Sequence, residues 1–142
     1  MAEDVRTAED VRDALMQIGD VAERTGLSFR TIRYYEEIDL VAPSGRTKGG
    51  FRLYTEADVE RLLLVKAVRP LRLDLNETRE MLAARDRMLA GGTRGGEDEL
   101  RLVSYLDFAE RRLSQARLDL KAAEKAIHLL RRDLSRMGMP SP

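Results

Sequence analysis

The 142-residue chain carries 25 Lys+Arg against 25 Asp+Glu, three Phe, four Tyr, no Trp, one histidine and no cysteine. That length holds one small domain plus an appendage or a long helix rather than two full domains. Without thiols and with a single imidazole, the usual zinc, copper and iron–sulfur ligand sets and thiol redox sensing are excluded within the chain.

Balanced charge removes a global basic field, so a polyanionic partner has to be met by a local patch. No D-x-D-x-D-G loop for a hard cation appears. The longest uninterrupted apolar runs are four residues, as at Leu62 to Val65, far short of a membrane span, and the N-terminus is acidic rather than basic-then-apolar. The expectation is a soluble, cytoplasmic protein.

Residues 1–15 contain AEDVR twice, at a six-residue offset that fits neither helix nor heptad, and read as an acidic, disordered arm. Ile18, Val21 and Ala22, closed by Gly26, predict a helix of about two turns that needs packing partners. Ser28 is a natural N-cap for a second helix carrying Phe29, Ile32, Tyr35 and Ile38. Two short helices joined by Gly-Leu-Ser predict a helix-turn-helix. In VAPSGRTKGGFRLY, turn residues between the apolar flanks Val41-Ala42 and Phe51-Leu53 predict a hairpin with a basic tip.

Thr55-Glu-Ala-Asp58 is a near capping box, Asp being one methylene short of Glu, and opens a helix that Pro70 ends or bends. Asp74-Leu-Asn-Glu77 is a complete box starting a further helix to Gly91-Gly92. Residues 16–90 thus form one compact domain, GGTRGG at 91–96 is the linker, and 138–142 are a tail.

Between linker and tail, 97–137 contain no Gly or Pro and predict one long helix. Leu106, Leu113, Leu120, Ile127 and Leu134 recur every seven residues, as do Leu102, Ala109, Ala116, Ala123 and Leu130; together they fill the a and d positions of a coiled-coil seam. The alanines let two backbones approach closely, which suits an antiparallel homodimer, although the pattern alone does not fix orientation. Packing of the stripe on the chain's own domain is the other reading, but residues 16–90 offer a helix about 60 Å long only partial cover. His128 reads as a solvated position, and Met81, Met88, Met137 and Met139 as filler of the core or helix ends.

On the second helix, Ile32, Tyr35 and Ile38 fall on one side and Arg30, Arg33 and Tyr34 elsewhere. In a helix-turn-helix this helix enters the major groove N-terminus first, so Arg30 and Thr31 sit where bases are read, with Arg33 and Tyr34 a turn on, better placed for phosphate. The bland alternative makes both tyrosines core and the arginines merely solvated. From Ser28 to Thr55 the bases Arg30, Arg33, Arg46, Lys48 and Arg52 face Glu36, Glu37 and Asp39, with the acids gathered at the C-terminal end of the helix.

The stretch 18–82 resembles the DNA-binding domain of the MerR family of bacterial transcriptional regulators. The motifs that carry the resemblance are I-G-D-V-A-x-x-T-G, R-T-I-R-Y-Y-E, G-F-R-x-Y after a basic tip, and D-V-x-R-L, in that order over a little under half the chain. It implies a mainly α fold: an N-terminal winged helix-turn-helix with a small β-hairpin wing, then a long dimerisation helix forming an antiparallel coiled coil. It also implies that Arg30, Thr31, Arg33 and Tyr34 contact an operator, that Tyr35 buttresses the helix and reaches phosphate, and that Arg46, Arg52 and Tyr54 are wing contacts, with Lys48 an addition at a variable tip. Asp39 and Arg72 stand where the family frequently has glycine, and Asp74 where it has serine.

The function so implied is a homodimeric, non-enzymatic regulator of promoter DNA that reads a pseudo-palindromic operator and distorts the promoter spacer. It needs no cofactor and no metal, it is nucleoid-associated when bound, and RNA polymerase is a further partner. No cysteine is available for metal or oxidant sensing, and RMGMPSP leaves no room for a ligand-binding domain. The competing reading is a protein-interaction module, a winged helix plus coiled coil docking RNA polymerase or another regulator with little DNA binding. An enzyme is remote, for want of a nucleophile–base pair, a phosphate loop or a metal set.

Overall fold

The computed structural model describes residues 15–139; residues 1–14 of the expected acidic arm and 140–142 of the tail lie outside them. The protein is mainly helical and divides into two units, one ending at Gly92 and the other starting at Thr93.

The first unit runs β1 (Met16–Gln17), α1 (Ile18–Thr25), α2 (Phe29–Glu37), β2 (Gly45–Arg46), β3 (Arg52–Tyr54), α3 (Glu56–Val68), a 3₁₀ turn (Arg69–Leu71) and α4 (Leu75–Leu89). Its three strands form an antiparallel sheet in the order β1-β3-β2, pairing Met16 with Tyr54 and Arg46 with Arg52. The hairpin expected from the sequence is present with its first strand displaced. Val41 is a core residue and Gly45–Arg46 is the strand, because a two-residue strand has no alternation for a sequence to display. The pairing of β1 with β3 escaped the sequence for the same reason.

The caps explain where the helices begin and end. The Thr31 N–H donates to Ser28 Oγ at 3.1 Å, and Gly26, at φ 66°, closes α1 with its N–H on Ala22 O. At Thr55 the near box is a full one: Asp58 N–H donates to Thr55 Oγ1 at 3.2 Å, and its carboxylate accepts the Thr55 N–H at 2.8 Å. The missing methylene does not prevent the reciprocal bond. Asp74 and Glu77 make the same exchange, both bonds at 2.8 Å.

Val21, Ile32, Tyr35, Leu40, Val41, Tyr54, Val59, Leu62, Val65, Met81 and Leu82 form the core, each large aliphatic contributing about 1.5–3 kcal/mol on burial. This core seats α2. Its exit is held by long cations reaching backbone carbonyls: Arg61 Nε donates to Leu40 O at 2.7 Å and Arg79 Nη2 to Ile38 O at 2.6 Å. Lys66 Nζ does the same for the end of α1, at Thr25 O, 2.7 Å away.

The second unit is α5, Glu97–Arg136, one helix of 40 residues, about 60 Å long. None of its residues is buried, and Leu106, Leu113, Leu120, Ile127 and Leu130 of the heptad series are exposed.

Candidate nucleic-acid interface

Helix α2 has two unlike faces because Ile32 and Tyr35 point into the core while Arg30, Arg33 and Tyr34 do not. Tyr34 is 52% exposed and Tyr35 4%, with ring centroids 6.1 Å apart and planes tilted by 45°. One tyrosine therefore anchors the helix and the other lies outside it. Among the described residues, Arg30 and Arg33 make no hydrogen bond or ion pair within the chain and are open to solvent. Thr31 is half-buried, its hydroxyl 2.8 Å from Ser28 Oγ. Part of its hydrogen-bonding capacity thus serves the helix start.

The expected wing residues separate into three situations. Lys48 is exposed at the tip and, among the described residues, without an intrachain partner. Arg46 and Arg52, opposite one another across β2 and β3, both reach Glu36 of α2. Arg46 Nη2 donates to Glu36 Oε1 at 2.9 Å, Arg46 Nη1 to Gly50 O at 3.2 Å, and Arg52 Nε to Glu36 Oε2. The hairpin is therefore less purely basic than its own sequence, since an acid from the far end of α2 pairs with two of its cations. Tyr54 is fully buried, and burial, then the Glu36 carboxylate, pushes its hydroxyl above the ordinary value of 10.0. In this conformation its ring supports the wing from inside the core and is closed to an external partner.

A groove of about 1020 Å³ runs along α2, with Arg30, Arg33 and Tyr34 on one side and Val68, Arg69 and Leu73 on the other. Arg69 is a cation at this rim that sequence reading did not single out. Its place depends on the 3₁₀ turn after α3, which no local motif announces. Glu36 was missed for a related reason, its partners being 10 and 16 residues away.

The surface so built, an exposed Arg/Tyr helix face beside a cationic hairpin tip, has the donors for phosphate and base edges. Residues 16–85 match the family model described as MerR HTH family regulatory protein. The HTH-type transcriptional regulator CueR of Yersinia pestis is 47% identical over 68 residues, 48% of this chain and 49% of that protein. The chain thus spans about half the length of the curated relatives it matches. Among solved structures, HiNmlR, a MerR family regulator lacking the sensor domain and bound to promoter DNA, superposes with TM-score 0.69 at 19% identity, covering 89% of this chain and 97% of that one. PbrR691 of Ralstonia metallidurans CH34, in complex with lead(II), gives TM-score 0.52 at 28% identity, covering 85% and 86%.

Proposed function

Through residues 16–85 the chain belongs to the MerR family of helix-turn-helix transcriptional regulators, a non-enzymatic family, and from that premise we propose that it is a sequence-specific regulator of promoter DNA, acting as a homodimer on a pseudo-palindromic operator. Each α2 enters a major groove, Arg30 and Thr31 toward base edges, Arg33 and Tyr34 toward the backbone, with Lys48, Arg46 and Arg52 on flanking phosphates. The observation that carries this reading is the pair Arg30 and Arg33, solvent-facing on a helix whose opposite side is locked into the core. Arginines without internal partners on so rigid a support are pre-aimed donors. Transcription is switched by deforming the spacer between promoter elements, which places RNA polymerase as the partner that reads the result.

Dimerisation falls to α5, on which Leu106, Leu113, Leu120, Ile127 and Leu130 of the heptad series are exposed in the single chain. Charge polarity supports an antiparallel pair. From Glu97 to Glu110 five acids stand against Arg101 alone, whereas from Arg111 to Arg136 eight bases stand against three acids. Antiparallel pairing sets each acidic end beside the partner's basic end, and parallel pairing sets like beside like. The lead(II) of PbrR691 is not carried over: thiolate sensing of soft metals needs cysteines, and this chain has none. The proposed location is the cytoplasm; among the described residues no helix is long and apolar enough to cross a membrane.

The test is selection from random duplex DNA with wild type beside Arg33→Ala over a salt series. An enriched inverted repeat, weakened in the variant and falling with salt at a log–log slope near −0.9 per phosphate neutralised, is the expected result. No enriched motif, with the two proteins indistinguishable, overturns the function and favours the protein-interaction module.

A further inference from the structure

Two arginines directly opposite on neighbouring strands repel, yet Arg46 and Arg52 occupy such a pair. Glu36 resolves the conflict from outside the sheet, each of its carboxylate oxygens accepting from one of them. It is only 22% exposed, and Arg52 29%, so neither charge is freely screened by water. Arg46 then extends the chain of contacts to Gly50 O, in the turn closed by Thr47 N–H···O Phe51 and Gly50 N–H···O Thr47, both 2.9 Å. A continuous polar path therefore joins the recognition helix to the tip of the wing.

We propose that Glu36 is a positioning residue for DNA recognition, a carboxylate that sets the wing against α2 before DNA arrives so that helix and wing present their cations in one fixed spacing. The inference rests on the DNA-reading function proposed above. A guanidinium carries five N–H donors. Arg46 makes two bonds here and Arg52 one, so each keeps donors for phosphate while Glu36 holds it. Glu36 orients the wing arginines without exhausting them.

This role opposes simple electrostatics, which makes it decidable. Glu36→Gln removes a negative charge from a surface that meets a polyanion, and by charge alone should tighten binding to every DNA and steepen its salt slope. As a positioning residue, its loss instead weakens operator binding about tenfold, leaves binding to unrelated duplex near the wild-type value, and so lowers the specificity ratio. In the free full-length protein, the Thr47 and Gly50 amides exchange faster with solvent than in wild type.

The experiment combines operator and random-duplex titrations with amide exchange by NMR on full-length wild type, Glu36→Gln and Glu36→Asp. The aspartate keeps the charge but is a methylene too short to span both arginines, so it is expected to lose specificity as the glutamine does. It also covers the case in which the glutamine variant folds poorly. Unchanged wing exchange in the variants, or tighter binding of Glu36→Gln to both DNAs, overturns the proposal. A wild type that selects no operator overturns the function on which the proposal rests, and retained wing protection in Glu36→Gln overturns the clamp alone.

Discussion

Asp39 and Arg72 are the only described non-glycine residues with positive φ, at 57° and 54°, and each ends a helical segment. The left-handed region costs an L-residue roughly 1–2 kcal/mol, less for Asp because its short polar side chain bonds locally. Glycine would remove that cost and give back about 0.5–1 kcal/mol through the freedom of its unfolded chain. Arg72→Gly is therefore expected to stabilise the first unit by about 0.5 kcal/mol, and Asp39→Gly by less. The check is a rise in the urea midpoint at unchanged m; a fall for Arg72→Gly shows that the guanidinium contributes more than the strain removes. The sequence marked both positions only through the family resemblance, as places where glycine is frequent, and not through any local pattern of their own. Arg30, Arg33 and Tyr34 were legible directly, since their outward placement follows from the apolar spacing of Ile32 and Tyr35. The burial of Tyr54 and the engagement of Glu36 were not, since both depend on which face of β3 meets the core and on where the hairpin folds back over α2.

Between elements, the tie of interest is Arg24 of α1 to Glu56 in the first turn of α3, a two-pronged guanidinium–carboxylate pair. Hydrogen bonds from Arg24 hold the Glu56 carboxyl below the ordinary value of 4.5 against a smaller opposing effect of burial. A carboxyl with a depressed folded pKa contributes stability that is present above its unfolded pKa and lost as pH falls through the folded one. Glu56→Gln is accordingly expected to be less stable than wild type at pH 7, with the two urea curves converging at a pH well below the ordinary carboxylate range. A gap of equal size at both pH values shows that packing of the side chain, rather than its charge, secures α1 to α3. The element inventory illustrates the same division between local and distant information. Helices α1 to α5 announce themselves through caps and periodicity, and Ser28, Thr55 and Asp74 mark their starts. Strand β1, two residues long, exists only because Tyr54 and Leu53 offer it a partner.

For the whole molecule, the decisive question is what covers α5, and its seam contains the means to answer it. In a parallel pair, a positions meet a and d meet d, so Ala109, Ala116 and Ala123 would face their own copies and leave three thin layers beside bulky ones. In an antiparallel pair, a meets d, and each alanine faces a large aliphatic: centred at Leu118, Leu113 lies against the partner's Ala123, Leu120 against the partner's Ala116 and Ile127 against the partner's Ala109. Every alanine layer then holds one large and one small side chain, with Leu–Leu layers only at the ends (Leu102 with Leu134, Leu106 with Leu130), which favours the antiparallel orientation as the charge polarity does. Ala116→Leu separates the two cases because its sign differs between them. In the parallel pair it fills a hole and strengthens the dimer; in the antiparallel pair it drives leucine against leucine at two symmetry-related sites, each costing about 1–3 kcal/mol. Sedimentation equilibrium of wild type and variant is expected to show dimer dissociation at least tenfold easier in the variant. In the proposed homodimer, two recognition helices joined through one seam would require half-sites at a set separation, about 34–36 Å for successive major grooves of relaxed duplex. A loosened seam should relax that spacing requirement before it abolishes binding to a single half-site, and an Ala116→Leu dimer tighter than wild type would reverse the orientation while keeping the two-fold axis, and with it the inverted repeat.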